Sequence, residues 1–309
     1  MLRRGEERAN IIAVIWDCDK TLIDGYMQDP IFEEYGINAH DFWGEVNKTP
    51  ERLAKEKGIR VNEDTYYLNH FIKCAHDGTL PGLNNAKLRE YGKKQKFYNG
   101  IPNLFEKTKK MFKDDSSYSE YGIQVEHYIV STGFAEVIRG TSLVPYVDGI
   151  WGCELLDDQF GDDQVLSEVV YTIDNTTKTR AIFEINKGIG KLEGINVNTN
   201  IKKELRRVQF ENMIYIADGP SDIPAFSVVH QNGGATFAIY PKGNLKAMQQ
   251  VEKMRADGRV DMYAEADYSE GTTANMWITN KIQEIADRIR ETEKNKILSS
   301  ATETPKHLI

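Results

Sequence analysis

An unbroken apolar run, Ile11-Ile12-Ala13-Val14-Ile15-Trp16, passes without transition into Asp17-Cys18-Asp19-Lys20-Thr21. Most residues of the run are β-branched, which predicts a strand buried on both faces. Acids two residues apart on a chain that is still extended project towards the same end of a sheet. Carboxylates set directly behind a buried strand pack poorly unless a cation or a partner meets them. The segment therefore demands a sheet covered on both sides, with a polar site beyond the strand's carboxyl end.

Three further runs repeat the pattern: His127–Val130, Met213–Ala217 and Ala235–Ile239. They lead into Ser-Thr-Gly, Asp-Gly-Pro-Ser-Asp and Tyr-Pro-Lys-Gly-Asn respectively. Between them lie helical spacings of three and four: Ile101, Leu104, Phe105, Thr108, Met111 and Phe112; Ile201, Leu205 and Val208; and Ile278, Ile282, Ile285 and Ile289. Strands alternating with helices predict an α/β fold, a doubly wound parallel sheet whose site lies beyond the carboxyl ends of its strands. Residues 25–97 interrupt the alternation with many charges, a helical stripe at Leu68, Phe71, Ile72 and Ala75, and no buried strand. The chain is thus divided into a core of residues 1–24 and 98–309 and a helical insertion of residues 25–97. After Asn295 the periodicity stops, and the tail is expected to fray.

Four separated pieces carry the chemistry. Asp17 and Asp19 follow the first strand, and Ser131-Thr132-Gly133 supplies hydroxyl and backbone donors suited to phosphate oxygens. Lys178, at the start of the helical segment Thr176–Ile185, offers a positive charge to the same centre. Lys187, in Ile-Asn-Lys-Gly, is the alternative, and its place inside a helix favours it less. Asp218-Gly219-Pro220-Ser221-Asp222 completes the set behind another strand. With these parts an ionised Asp17 can attack phosphorus and form an aspartyl-phosphate. Asp19 can protonate the leaving oxygen and then activate water, a role that needs a carboxyl with a raised pKa. So many carboxylates around one phosphate call for a divalent cation, and Mg2+ suits an all-oxygen site.

The order DxDxT, then Ser/Thr-Gly, then Lys, then DGxxD resembles the haloacid-dehalogenase-like (HAD) superfamily, with the phosphoserine-phosphatase-like branch nearest. The resemblance covers roughly residues 11–24 and 98–270. It implies a Rossmann-like core with a helical cap inserted after the first strand. It also implies that Asp17 is the nucleophile and Asp19 the acid/base. Mg2+ would be met by Asp17, by the main-chain carbonyl of Asp19 and by Asp218, while Asp222 would act through water or orient the surrounding shell. Ser131, beside Thr132 and Gly133, would contact phosphate. Phosphomonoester hydrolysis is the leading expectation. A phosphotransferase or mutase using the same residues, and a non-catalytic regulator on the same fold, are the alternatives.

Composition removes other classes. A net charge of -8 argues against a basic face for gripping nucleic acid, although one lysine and a metal suffice for a small phosphorylated metabolite. No segment approaches the apolar length of a membrane span, and the short run at 11–16 is not a signal peptide, so a cytoplasmic enzyme is expected. Cys18, Cys74 and Cys153 form no CxxC pair. His40-Asp41 and His76-Asp77 lack further metal ligands, and Gly188-Ile189-Gly190-Lys191 reads as a helix-ending turn rather than a nucleotide loop. The acids Asp157, Asp158, Asp162 and Asp163 around Gly161 read as a solvated loop.

Overall fold

The computed structural model describes residues 10–158 and 164–301, with side chains up to residue 299. The apolar run forms β1 (Asn10–Trp16), with six of its seven residues buried. Four helices follow: α1 (Asp29–Tyr35), α2 (Ala39–Lys57), α3 (Glu63–His76) and α4 (Asn85–Gly92). The core resumes with α5 (Asn103–Lys110), α6 (Ser116–Ser119), β2 (Ile123–Phe134) and α7 (Ala135–Arg139). A hairpin of β3 (Gly149–Asp157) and β4 (Leu166–Tyr171) comes next, then α8 (Lys178–Lys187) and β5 (Met213–Ala217). The chain continues through α9 (Ile223–Gln231), β6 (Ala235–Tyr240), α10 (Leu245–Ala256), β7 (Met262–Glu265) and α11 (Thr273–Ala301).

The strands make one sheet in the order β4-β3-β2-β1-β5-β6-β7. All neighbours are parallel except β3 and β4. The chain winds outward through β2 and β3 on one side of β1, then returns to its other side with β5. The winding thus reverses at β1, where an open α/β sheet leaves a crevice. Register aligns the site: Trp16 lies opposite both Ile129 and Ile216. Asp17 is therefore level with residues 130 and 217, so Ser131 and Asp218 emerge one residue farther along on either side.

Ile23, before helices α1 to α4, and Phe97, after them, pair in an antiparallel bridge. Asp24 N–H to Lys96 O (2.9 Å) and Tyr98 N–H to Leu22 O (3.0 Å) flank the same bridge. Tyr67 and Phe71 of α3 pack edge-on against Phe134, and the backbones of α4 and α7 also meet closely. A β-carbon on Gly140 would come within 1.9 Å of Arg89 O, and one on Gly92 within 2.2 Å of Val137 O. Only glycine lets α4 and α7 approach this closely.

The structure departs from the sequence expectations in four places. Residues 201–208 form no α-helix, only a 3-10 turn at Lys203–Leu205. Val208 is buried because its backbone pairs with Asn186 (N–H to Asn186 O, 3.1 Å), while Leu205 stays 60% exposed. Ser131-Thr132-Gly133 lies inside β2, whose pairing with β3 resumes at Phe134 after a bulge. The β3–β4 hairpin was not expected, because alternating half-exposed residues give it no buried apolar run. Lastly, α11 continues past Asn295 to Ala301, where fraying was expected, and the tail beyond residue 301 lies outside the described residues. Its end carries no apolar stripe, since Ile297 and Leu298 are exposed, but it keeps a Lys296–Glu293 pair at helical spacing.

The bland readings fit their places. Gly188 caps α8 with φ 82°, and the isoleucines at 278, 282, 285 and 289 are buried. His40 and Asp41 are solvent-exposed. Asp157 accepts a hydrogen bond from Asn85 N–H, while Asp162 and Asp163 lie outside the described residues. Among the described residues no helix is long and apolar enough to cross a membrane.

Candidate active site

Asp17 is the first residue beyond β1, and its N–H still donates to Ile216 O at 2.9 Å. The ladder thus places its α-carbon, and Lys178 places its side chain. Lys178 opens α8, is 2% exposed, and reaches Asp17 Oδ1 at 2.8 Å and Asp222 Oδ1 at 2.7 Å. Thr21 Oγ1 approaches the other oxygen of Asp17 at 3.3 Å. Lys187 is occupied elsewhere, donating to Val197 O and Thr199 O. Of the two candidate lysines, Lys178 is the one in contact with Asp17.

Between Asp17 and the insertion the chain makes a tight turn in which Cys18 O accepts from Leu22 N–H and Ile23 N–H. Lys20 takes φ 57°, a left-handed conformation that costs a non-glycine residue about 1 kcal/mol or more. Asp19 is turned towards the insertion, where its Oδ1 accepts from Met27 N–H at 3.0 Å. Met27 also packs under Gly133, where a β-carbon would collide with its sulfur at 2.3 Å. Ser131 is buried and its Oγ accepts from Gly133 N–H at 3.0 Å, which leaves its hydroxyl proton for another acceptor. Thr132 lines the cleft together with Asp17, Asp19, Lys178 and Asp218. The cleft has a volume of about 570 Å³.

Carboxylate oxygens of Asp17, Asp218 and Asp222 all lie within 4.8 Å of one another. Asp218 has no hydrogen-bond partner among the described residues. Asp222 is fully buried and accepts from Lys178, from Tyr215 OH at 2.5 Å and from Ser221 Oγ at 3.0 Å. The side chain of Asp19 is not part of this group. Three carboxylates around one point, one of them unpartnered, form a hard oxygen donor set that fits a small divalent cation.

Burial governs the electrostatics. It pushes Asp17 up to about 6, with Lys178 opposing and Asp222 adding to the rise. It pushes Asp19 up to about 8, helped by Asp17 and opposed by the Met27 N–H bond. Asp218 rises to about 7 through burial and then the charges of Asp17 and Asp222. Burial also works against the charge on Lys178, but Asp17 and Asp222 outweigh it and hold the amine protonated. The site thus pairs an acid in contact with a fixed cation, Asp17, with a second acid whose carboxyl is pushed up to about 8, Asp19.

Several supports were missed in the sequence. Tyr215 reads as one more core residue of β5 yet holds Asp222. Tyr268 OH donates to Thr21 O (2.6 Å), and Tyr67 OH donates to Thr132 O (2.6 Å) from the insertion. For Tyr215 a phenol in a fully apolar run was the available signal, since a buried hydroxyl needs a partner, whereas Tyr67 and Tyr268 sit among polar residues and offer none.

The fold and this site can be set beside known proteins. No family model matches the chain. A HAD family hydrolase from Salmonella enterica serovar Typhi is similar in structure, with a TM-score of 0.50 and 14% identity over 84% of this chain and 68% of that one. A substrate-bound phosphoserine phosphatase structure has a TM-score of 0.46, with 18% identity over 84% of this chain and 93% of that one. The fold is that of the haloacid-dehalogenase-like hydrolases. An uncharacterized protein of Borreliella burgdorferi is 37% identical over 292 residues, 89% of this chain and 98% of that protein. The chain belongs to the same family as that protein.

Proposed function

We propose that the chain is a Mg2+-dependent phosphatase that hydrolyses a small phosphomonoester through an aspartyl-phosphate on Asp17. One observation carries the reading: Lys178 joins Asp17 to Asp222 at 2.8 and 2.7 Å, and Asp19 lines the same cleft. A salt bridge alone would not place a second, partnerless acid, Asp218, against it. Asp17 and Asp218, with Asp222 beside them, would hold the cation, whose charge offsets that of the phosphate oxygens.

The remaining steps belong to the chain's own residues. Lys178 keeps the Asp17 carboxylate in one rotamer, aimed for in-line attack on phosphorus. Ser131 and Thr132 offer hydroxyl protons to the phosphate oxygens. As the phosphorus–oxygen ester bond breaks, Asp19 gives its proton to the departing alkoxide. Asp19 then takes a proton from the water that attacks the aspartyl-phosphate, which releases inorganic phosphate and restores Asp17. Residues 25–97 would act as a cap that excludes bulk water during these steps. The test is release of p-nitrophenol from p-nitrophenyl phosphate by purified protein with Mg2+, abolished by Asp17→Asn. No release from it or from a broad phosphomonoester panel would overturn the proposal.

A further inference from the structure

A second, smaller cavity of about 190 Å³ adjoins the cleft on the side of the insertion. Asp19, Tyr26, Asp64 and Thr132 line both, so the two meet at the proposed proton donor. On the reading above, this is where the alcohol portion of the substrate must sit, because Asp19 protonates its oxygen.

The walls of this cavity carry acids, aromatic rings and one unpartnered amide. Asp64 and Glu63, from the first turn of α3, bring carboxylates. Tyr26, Trp43 and Tyr67 bring aromatic rings, of which Tyr26 already carries Lys20 Nζ 4.0 Å from its centroid. Gln28 is 3% exposed, and its Oε1 has no hydrogen-bond partner. Among the described residues, no lysine, arginine or histidine lines the cavity. Acids in the first turn of a helix also interact favourably with its dipole, and that alone would account for Glu63 and Asp64. It does not account for a buried, unpartnered amide oxygen and three rings in the same walls. A buried acceptor left without a donor is unfavourable until one arrives.

Carboxylates, π-faces and an orphan acceptor all attract a positively charged N–H donor. They disfavour an anion: a carboxylate on the alcohol portion would meet Glu63 and Asp64, with Lys20 at the Tyr26 ring as a neighbouring cation. We infer that the substrate is the phosphate ester of an amino alcohol that bears an ammonium group and no carboxylate. Asp64, Trp43 and Gln28 would be the residues that select it. Asp64 is already fixed for this task, since its Oδ2 accepts from Asn175 N–H at 3.2 Å, three residues before Lys178.

The experiment compares phosphoethanolamine with its neutral isostere propyl phosphate and with phosphoserine, using the full chain and Mg2+. Expected is a kcat/KM for phosphoethanolamine at least about 10-fold above either, the equivalent of one good charge-assisted contact. Asp64→Asn, which keeps an acceptor for Asn175, should bring the ratio to propyl phosphate close to one, as should the near-isosteric Gln28→Leu in part. Calorimetric binding of the same three compounds to Asp17→Asn gives the same ranking without turnover. Failure of all turnover would sink the phosphatase reading, and the binding ranking would still judge the ammonium site. Propyl phosphate or phosphoserine equal to phosphoethanolamine in binding would overturn it.

Discussion

His127 makes the stability of this fold depend on pH in a way that can be calculated. The ring is fully buried in β2 and stacked on Phe105, with centroids 4.1 Å apart and planes 10° apart. Trp16 Nε1–H donates to its Nδ1 at 3.0 Å. Thr108 Oγ1 gives its own proton to Leu104 O at 2.8 Å, so it receives the proton of His127 Nε2, also at 2.8 Å. The neutral Nε2–H form satisfies both contacts, whereas a proton on Nδ1 would face the indole N–H. Burial, and then the charge of Lys109, pull the imidazole from its ordinary 6.5 down to about 3. The sign follows directly. The unfolded chain binds the proton first, so this contribution is intact above pH 6.5 and is lost as pH falls below it. The loss is about 1.4 kcal/mol per pH unit, or about 2.7 kcal/mol at pH 4.5. Urea melts of wild type and His127→Phe at pH 7 and 4.5 isolate the effect, because the shared carboxylates cancel in the difference. The variant should be about 1–3 kcal/mol less stable at pH 7, where Trp16 loses its acceptor. It should lose about 2.7 kcal/mol less than wild type between the two pH values. His127→Gln, which keeps an acceptor for the indole, serves as the second variant. Stability curves of all three proteins running parallel from pH 7 to 4.5 would refute the reasoning.

Other expectations concern the site and the insertion. Asp218→Asn should weaken the Mg2+ dependence of both rate and thermal midpoint, and an unchanged metal titration of both would exclude Asp218 as a ligand. Asp19→Asn should lose about 100-fold or more with an alkyl phosphate. With p-nitrophenyl phosphate the same variant should give a stoichiometric burst followed by slow turnover, because that leaving group needs little protonation and the water step still lacks its base. Lys178→Met leaves Asp17 and Asp222 buried together without their cation. Its urea midpoint without metal should report a loss of about 3–5 kcal/mol, and a loss below 1 kcal/mol would show the lysine is not integral. Gly140→Ala forces α7 off the Arg89 carbonyl, so it should cost about 1–3 kcal/mol. Hydrogen exchange should then rise in the inserted helices before it rises in β1, and uniform exchange would contradict a separable cap.

What could be read from the chain and what could not differ in range. β1, β5 and β6 were legible because a strand buried on both faces writes its whole requirement into consecutive residues. The acids behind them were legible for the same local reason: Asp17 and Asp218 break an apolar run that has no other cause to end in charge. β3 and β4 were not, because each buries only part of itself and takes its stability from neighbours far along the chain. The contact between Asp17 and Lys178 spans 161 residues, and nothing local distinguishes Lys178 from Lys187 except its place at a helix start. The fold makes that choice by placing the first residue of α8 against Asp17. The buried phenols show the limit most clearly. Tyr215 is written into β5 as one more large residue, and only the sheet brings its hydroxyl to Asp222, seven positions on. Residue type can state that such a hydroxyl needs an acceptor. Which acceptor it finds is a property of the packed structure, and so is the ammonium-selective cavity, whose carboxylates and rings come from three separate segments of the insertion.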